Sequence, residues 1–231
     1  MKNRKESAKK NIIIAIDGPA GSGKSTTAQM VAKRLNISYI DSGAFYRAYT
    51  LQILQNHISL QDETAIDDIL AQTHVMVQTS EKGTRVELNG RDVSKEIRSP
   101  EVTAYVSSVS KHPKVRQAVT QKLWEIAENK SIILEGRDIG TKVFPNADLK
   151  IYLEASIQAR AERRHHELVA AGMDSDKERM AAEIAARDKQ DSERILSPLM
   201  KADDAVILNN TNLSIEESVN FIVQKALKFV N

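Results

Sequence analysis

Residues 12–16, Ile-Ile-Ile-Ala-Ile, run straight into Asp17-Gly18-Pro19-Ala20-Gly21-Ser22-Gly23-Lys24-Ser25-Thr26, and a helix-forming segment follows. The apolar run reads as a buried strand. Gly18, Gly23, Lys24 and Ser25 satisfy G-x-x-x-x-G-K-[ST], with glycine where backbone must pass close to phosphate oxygens that a side chain would block. Successive N–H groups in such a loop, backed by the positive end of the next helix, form an anion cradle. In it Lys24 would bridge β- and γ-phosphates and Ser25 would hold Mg²⁺ through its hydroxyl, leaving the γ-phosphate oriented for in-line attack. The bland alternative is a glycine-rich turn that only packs tightly, but the strand before it and the helix after it are the context the phosphate reading requires.

Outward from the cradle, a first helix continues over 29–35, a short strand is expected at 38–40, and residues 41–47, Asp-Ser-Gly-Ala-Phe-Tyr-Arg, lead into a second helix. This alternation predicts parallel strands with helices on both faces and ligands at the strands' C-terminal ends. Asp41, Ser42 and Arg47 would then lie near the cradle, although Asp41 or Ser42 equally suits a helix cap. The pattern changes between residues 60 and 113. Two β-like runs at 74–79 and 84–89, separated by Glu81-Lys82-Gly83, predict an antiparallel insertion, and Ser99-Pro100 can open a helix over 101–110. Such an excursion either holds the acceptor of the phosphoryl group or is an inert surface piece.

A helix over 114–129 presents Val115, Val119, Leu123 and Ile126 at helical spacing, with Arg116 beside the stripe and Trp124 read as packing. The strand at 131–134 delivers Glu135-Gly136-Arg137-Asp138 to the cradle's edge of the sheet. Glu135 stands where a second carboxylate would reach the magnesium through water, though the usual residue there is Asp. After a strand at 149–153, the charge-rich residues 156–194 read either as two solvated helices or as a mobile lid whose Arg160, Arg163 and Arg164 close over phosphates. Glu162 with His166 and Glu183 with Arg187 have the spacing of surface pairs. His165 and His166 read as exposed histidines. A strand at 205–208 and a helix at 214–229, opened by a Ser214/Glu217 capping box, complete the order.

The composition bounds the function classes. Of 231 residues 41% are hydrophobic, enough for a sizeable core, and no apolar run approaches the roughly 18 residues of a membrane span. There is no cysteine, which excludes disulfides and thiolate metal sites and suits a cytoplasmic location. Thirty-three basic against 31 acidic residues leave +2, too little to argue for a nucleic-acid partner. The basic stretch over 1–11 reads as a frayed extension or, less simply, as an accessory arm. A GTPase switch would need D-x-x-G and N-K-x-D, and neither occurs.

Taken together, GPAGSGKST, DSGAFYR, LNGRDVS, EGRDIGTKVFP and RDKQDSERILSPL resemble the bacterial-type cytidylate kinases, nucleoside monophosphate kinases that phosphorylate CMP and dCMP with ATP. The resemblance runs from about residue 12 to the end of the chain. It implies an α/β P-loop fold with a core (12–59, 114–155, 195–231), a monophosphate-binding insertion (60–113) and a short helical lid (156–194). It also implies an ATP loop over Gly18, Pro19, Ala20, Gly21, Ser22, Gly23, Lys24, Ser25 and Thr26, with Mg²⁺ accompanying the nucleotide. The acceptor site carries over to Ser42, Arg47, Ser107, Arg116, Arg137, Asp138, Arg187, Asp191 and Arg194. Lys24 with Arg137, Arg187 and Arg194 would be the catalytic set, and a monomer is implied. The family often has glycine after the loop lysine, where this chain has Ser25.

The residue types suit that acceptor. Asp138 can take the exocyclic amino group of cytosine while Arg116 or Ser107 donates to its ring acceptors. Uracil would face Asp138 with an acceptor, a mismatch on the order of 1–3 kcal/mol. Arg47, Arg137 and Arg194 would clamp the acceptor phosphate with planar two-bond contacts, and Asp191 with Arg187 would reach the ribose.

Overall fold

The computed structural model describes residues 11–80, 83–170 and 172–230; residues 1–10 of the expected basic extension and Glu81-Lys82 of the expected hairpin turn lie outside them. Strand β1 (Ile13–Asp17) passes through the glycine-rich loop into α1 (Lys24–Leu35), and β2 (Ser38–Asp41) runs directly into α2 (Ser42–Gln55). Then come α3 (Glu63–Gln72), the antiparallel β3 (Val75–Ser80) and β4 (Gly83–Leu88), the short β5 (Arg91–Asp92), α4 (Pro100–Val109) and α5 (Pro113–Ala127). Strand β6 (Ile132–Gly136) ends in a π-helical turn (Ile139–Val143), followed by β7 (Leu149–Glu154), α6 (Ile157–Ala170), α7 (Lys177–Ser192), β8 (Val206–Asn209) and α8 (Ile215–Val230).

The main sheet has the order β2-β6-β1-β7-β8, and every neighbouring pair is parallel, as the strand–helix alternation predicts. Its strands are apolar on both faces because both faces are covered. Ala15, Ile132 and Leu134 join the cluster under α2 and α5, while Ile14, Ile16, Ile133 and Ile151 join the one under α1 and α8. The register sets Asp17 beside Gly136 and Tyr152, Asp41 beside Glu135, and Glu154 beside Asn209. The loops that leave these strands therefore start level, along one edge of the sheet.

Residues 60–113 hold the expected antiparallel sheet, ordered β3-β4-β5. Ile66, Val77, Val86 and Ile97 from this stretch share one apolar cluster with Phe45, Ala48 and Ile53 of α2. Helix α3 was not anticipated, although its signals are local: Asp62 accepts from the Ala65 N–H at 3.0 Å, and Ile66 and Ile69 bury one face. The expected caps formed elsewhere. Ser99 accepts from Val102 ahead of Pro100, and Ser214 and Glu217 exchange bonds at the start of α8. Trp124 differs from its packing expectation: 54% exposed, it lies on the surface and donates its indole N–H to the Val143 carbonyl at 2.7 Å, bracing the π-helical turn.

Candidate active site

The cradle is shaped by close backbone approach. A Cβ on Gly18 would fall 2.1 Å from the Leu153 carbonyl oxygen, and one on Gly136 would fall 2.7 Å from the Ser42 hydroxyl, so both loops need glycine to lie side by side. Helix α1 begins at Lys24 with no acidic residue in its first turn, which leaves its positive end uncompensated. Lys24 is buried and donates to the Pro19 carbonyl at 2.7 Å. Burial, and then the guanidinium of Arg137, push its ammonium down to about 7, while Glu135 opposes them. Ser22 is fully buried, whereas Ser25 and Thr26 are exposed on the first turn of α1.

Glu135 closes the floor of this site. Its carboxylate receives the Tyr39 hydroxyl, and Ser42 donates to its backbone carbonyl at 2.7 Å. Burial raises its pKa first and the neighbouring Asp41 adds to that, against Lys24 and the hydroxyls of Ser25 and Tyr39. A cation beside it would relieve that pressure. Among the described residues no three His, Cys, Asp or Glu side chains converge to hold a metal by themselves. The donors present, the Ser25 hydroxyl and the Glu135 carboxylate, are hard oxygens of the kind Mg²⁺ takes alongside nucleotide phosphates. Asp41 proves to be a helix cap, accepting from the Gly43 N–H at 2.8 Å.

Facing the cradle is a cluster of guanidinium groups. Arg187 is pushed down to about 10 by burial and then by Arg137 and Arg47, with Asp191 opposing. Burial likewise depresses Arg47 and Arg194, and Arg137 adds to the depression of each. Asp191 is the counter-charge: it takes the Arg137 Nε at 2.8 Å and pairs with Arg194. The Nε atoms of Arg187 and Arg194 are buried with no hydrogen-bond partner. Buried cations that repel one another and keep unused donors match an anion with several oxygens. Arg47 is held by the Ile97 carbonyl at 3.2 Å and the Thr103 hydroxyl at 2.9 Å. Arg187 thus faces inward, and its expected surface partner Glu183 pairs with Arg179 at 2.9 Å instead; Glu162 does pair with His166, at 2.9 Å.

Behind the cluster lies the buried pair Arg116–Asp138. Arg116 also donates to the Ser110 carbonyl at 2.9 Å and stacks over the Tyr46 ring, 5.4 Å from its centroid. Ser107 is buried on α4, and its carbonyl receives the Ser110 hydroxyl at 3.0 Å. The structure therefore brings Lys24, Arg47, Arg116, Arg137, Asp138, Arg187, Asp191 and Arg194 to one side of the sheet.

The three arginines of α6 have other engagements. Arg160 donates to Ala155 at 3.0 Å, to the Ala20 carbonyl at 2.8 Å and to Asp188 at 2.5 Å, while Asp188 accepts the Ala20 N–H at 3.1 Å. Both peptide groups of Ala20 are thus clasped by the helix pair α6 and α7. Arg163 holds the Asn210 carbonyl at 2.6 Å, and Asn210 in turn donates to the Ser22 carbonyl at 2.9 Å. Arg164 is exposed and paired with Glu167 at 3.1 Å. Sequence reasoning missed Asp188, Asn210 and Tyr39. Asp188 had a signal, since Ile184, Arg187, Asp188 and Asp191 fall at i, i+3, i+4 and i+7 and so share one helix face.

The family described as cytidylate kinase matches residues 14–228. The cytidylate kinase of Geobacillus sp. (strain WCH70) is 50% identical over 214 residues, 93% of this chain and 96% of its own length. That of Bacillus cereus (strain ATCC 10987) is 48% identical over 222 residues, 96% of this chain and 97% of its own. A solved structure of an uncharacterized protein from Eubacterium ventriosum ATCC 27560 superposes with a TM-score of 0.52 at 12% identity, covering 95% of this chain and 99% of that one, a likeness of fold alone. With its phosphate loop, its facing guanidinium cluster and these relatives over nearly its full length, the chain belongs to the cytidylate kinase family.

Proposed function

We propose that this chain transfers the γ-phosphoryl group of ATP to CMP or dCMP, giving ADP and CDP or dCDP in pyrimidine nucleotide metabolism. The observation that carries the reading is the cluster of Arg47, Arg137, Arg187 and Arg194 held across from Lys24, with the Arg116–Asp138 pair buried behind it. Residues 18–26 cradle the ATP phosphates and Lys24 follows the charge that moves with the transferred group. The arginine cluster binds the acceptor's phosphate, Asp191 spaces the guanidinium groups and meets the ribose end, and Asp138 with Arg116 and Ser107 reads cytosine. Ser42 holds the Glu135 loop in place. Ser25 and, through water, Glu135 would hold Mg²⁺, which supplies charge neutralisation at the phosphates when bound.

No side chain has to remove a proton, because a monophosphate oxygen is already an anionic nucleophile, and catalysis rests on placing two anions in line and neutralising them. Residues 12–59, 114–155 and 195–231 form the core in this reading, 60–113 the acceptor-binding insertion and 156–194 the lid, with Arg160 and Arg163 fastening that lid to the cradle and Arg164 on its outer surface. A cytoplasmic location fits the absence of cysteine, the net charge of +2 gives no argument for a nucleic-acid partner, and a monomer is what the resemblance to the family implies. The test is ADP release with ATP and Mg²⁺ against CMP, dCMP, UMP, AMP and GMP. Turnover with CMP and dCMP far above the rest is the expected result. Preference for UMP or AMP would overturn the base pocket, and no acceptor-dependent turnover would overturn the kinase reading.

A further inference from the structure

Asp17, the last residue of β1, is 5% exposed and stands immediately before Gly18 of the cradle. Its carboxylate crosses to the turn after β6, where Oδ1 accepts the Ile139 N–H at 2.8 Å and Oδ2 accepts the Gly140 N–H at 2.7 Å. These are the first two N–H groups of the π-helical turn Ile139–Val143, the groups a helical turn leaves without internal partners. Asp138 occupies the cap position of that turn, and an aspartate there ordinarily turns its own side chain back onto such N–H groups. In this chain it caps nothing, and its carboxylate goes to Arg116.

We propose that Asp17 is a surrogate cap that releases Asp138 from capping its own turn, and is thereby a specificity-positioning residue for the base. The inference rests on the reading of Asp138 as the cytosine carboxylate. The two roles need two carboxylates because one cannot satisfy both the N–H groups of the turn and a base with its arginine. The surroundings hold Asp17 in this task. A Cβ on Gly140 would come within 3.4 Å of Asp17 Oδ2 and 3.2 Å of Lys150 Cδ, so the turn lies directly against the carboxylate. Asn at position 17 keeps the shape but offers one acceptor, and points its NH₂ at the second N–H. Ala offers none, and both N–H groups then compete for Asp138.

The experiment is steady-state kinetics of the full chain with CMP and UMP, at saturating ATP and with ATP varied, for the parent, Asp17→Asn and Asp17→Ala, each checked for a cooperative melt. The expected result is a graded loss of kcat/KM for CMP, about tenfold in Asp17→Asn and about a hundredfold in Asp17→Ala, with UMP far less affected and the KM for ATP moving less than about threefold. A merely structural role would lower both acceptors together or move the ATP KM equally. An unchanged CMP-to-UMP ratio in Asp17→Asn overturns the inference. Asp17→Glu, which keeps the charge and both acceptor oxygens but displaces them by one methylene, should lower the ratio in the same direction, and an unchanged ratio there counts equally against it if the other two variants fail to fold. Were the parent not to use CMP at all, the proposed function would fail, visibly apart from these comparisons.

Discussion

The two sides of the site hold phosphate by different means. The cradle is contiguous, residues 18–26, and its donors are mostly peptide N–H groups fixed by a strand, a loop and a helix start. The opposite side is assembled from α2, α5, the end of β6, α7 and the segment after it, and its donors are guanidinium groups that repel one another. Backbone donors carry only partial charge, so gathering them costs little. Full cations gathered out of water oppose folding until an anion joins them. The first side is thus expected to be costly to damage only in catalysis, and the second to trade stability against function.

The largest effect should follow from Lys24→Ala. Removing the one full charge of the cradle should lower kcat by about 10³-fold or more while a cooperative melt is retained, because among the described residues the Lys24 ammonium donates only within its own loop, to the Pro19 carbonyl and the Ser22 hydroxyl. A near-parental kcat would break the assignment of that side. Arg187→Met comes next. It should cut kcat/KM for CMP about 10- to 100-fold while raising the melting temperature of the ligand-free chain by about 2–4 °C, the signature of a strained anion site. A lower melting temperature would show that the guanidinium cluster is not strained and that the two sides do not differ in kind.

The same contrast explains what could be read from sequence. A contiguous cradle is legible because spacing along the chain is spacing in space: Gly18, Gly23, Lys24 and Ser25 needed only the strand before them and the helix after. The alternation of strands and helices was legible for the same reason, since period and caps are local. The acceptor side was not, because Arg47, Arg116, Arg137 and Arg194 meet only once the sheet order places β6 between β2 and β1. The alternation already set Arg47 and Arg137 near the cradle, but their task at the acceptor, and the place of Arg116 and Arg194, came only through resemblance. Arg187 shows the limit of local rules: its spacing to Glu183 was right for a surface pair, but the inward helix face took it to Asp191 and the other arginines. Asp17 gave no signal at all, since its partners are backbone N–H groups 122 and 123 residues away.

Asp138→Ala sharpens the comparison on the acceptor side. Unlike Arg187→Met it removes a counter-charge, leaving Arg116 buried without its partner, so it should lower the melting temperature while reducing the preference for CMP over UMP about tenfold and disturbing the ATP KM little. Loss of stability with selectivity intact would mean that the pair is structural and the base is read elsewhere.

The smallest effect concerns the carboxylate that joins the two sides. Burial pushes Asp17 up to about 6, its two N–H bonds resist, the nearby Asp138 adds to the rise and Lys24 opposes it; Tyr152 is its neighbour on β7. An aspartate in the unfolded chain titrates near about 3.9, so between those values the native state binds the extra proton. The stability this group contributes is therefore full below about pH 4 and is lost as pH rises through about 6. Asp17→Asn cannot lose it, because it has no proton to give up in this range. Whatever the offset from its missing hydrogen bond, the variant's melting temperature should gain on the parent's by a few degrees from about pH 4 to about pH 7. A gap that stays constant across this window would mean that the ionised carboxylate rests there without penalty, and that the link between cradle and base pocket is as unstrained as the cradle itself.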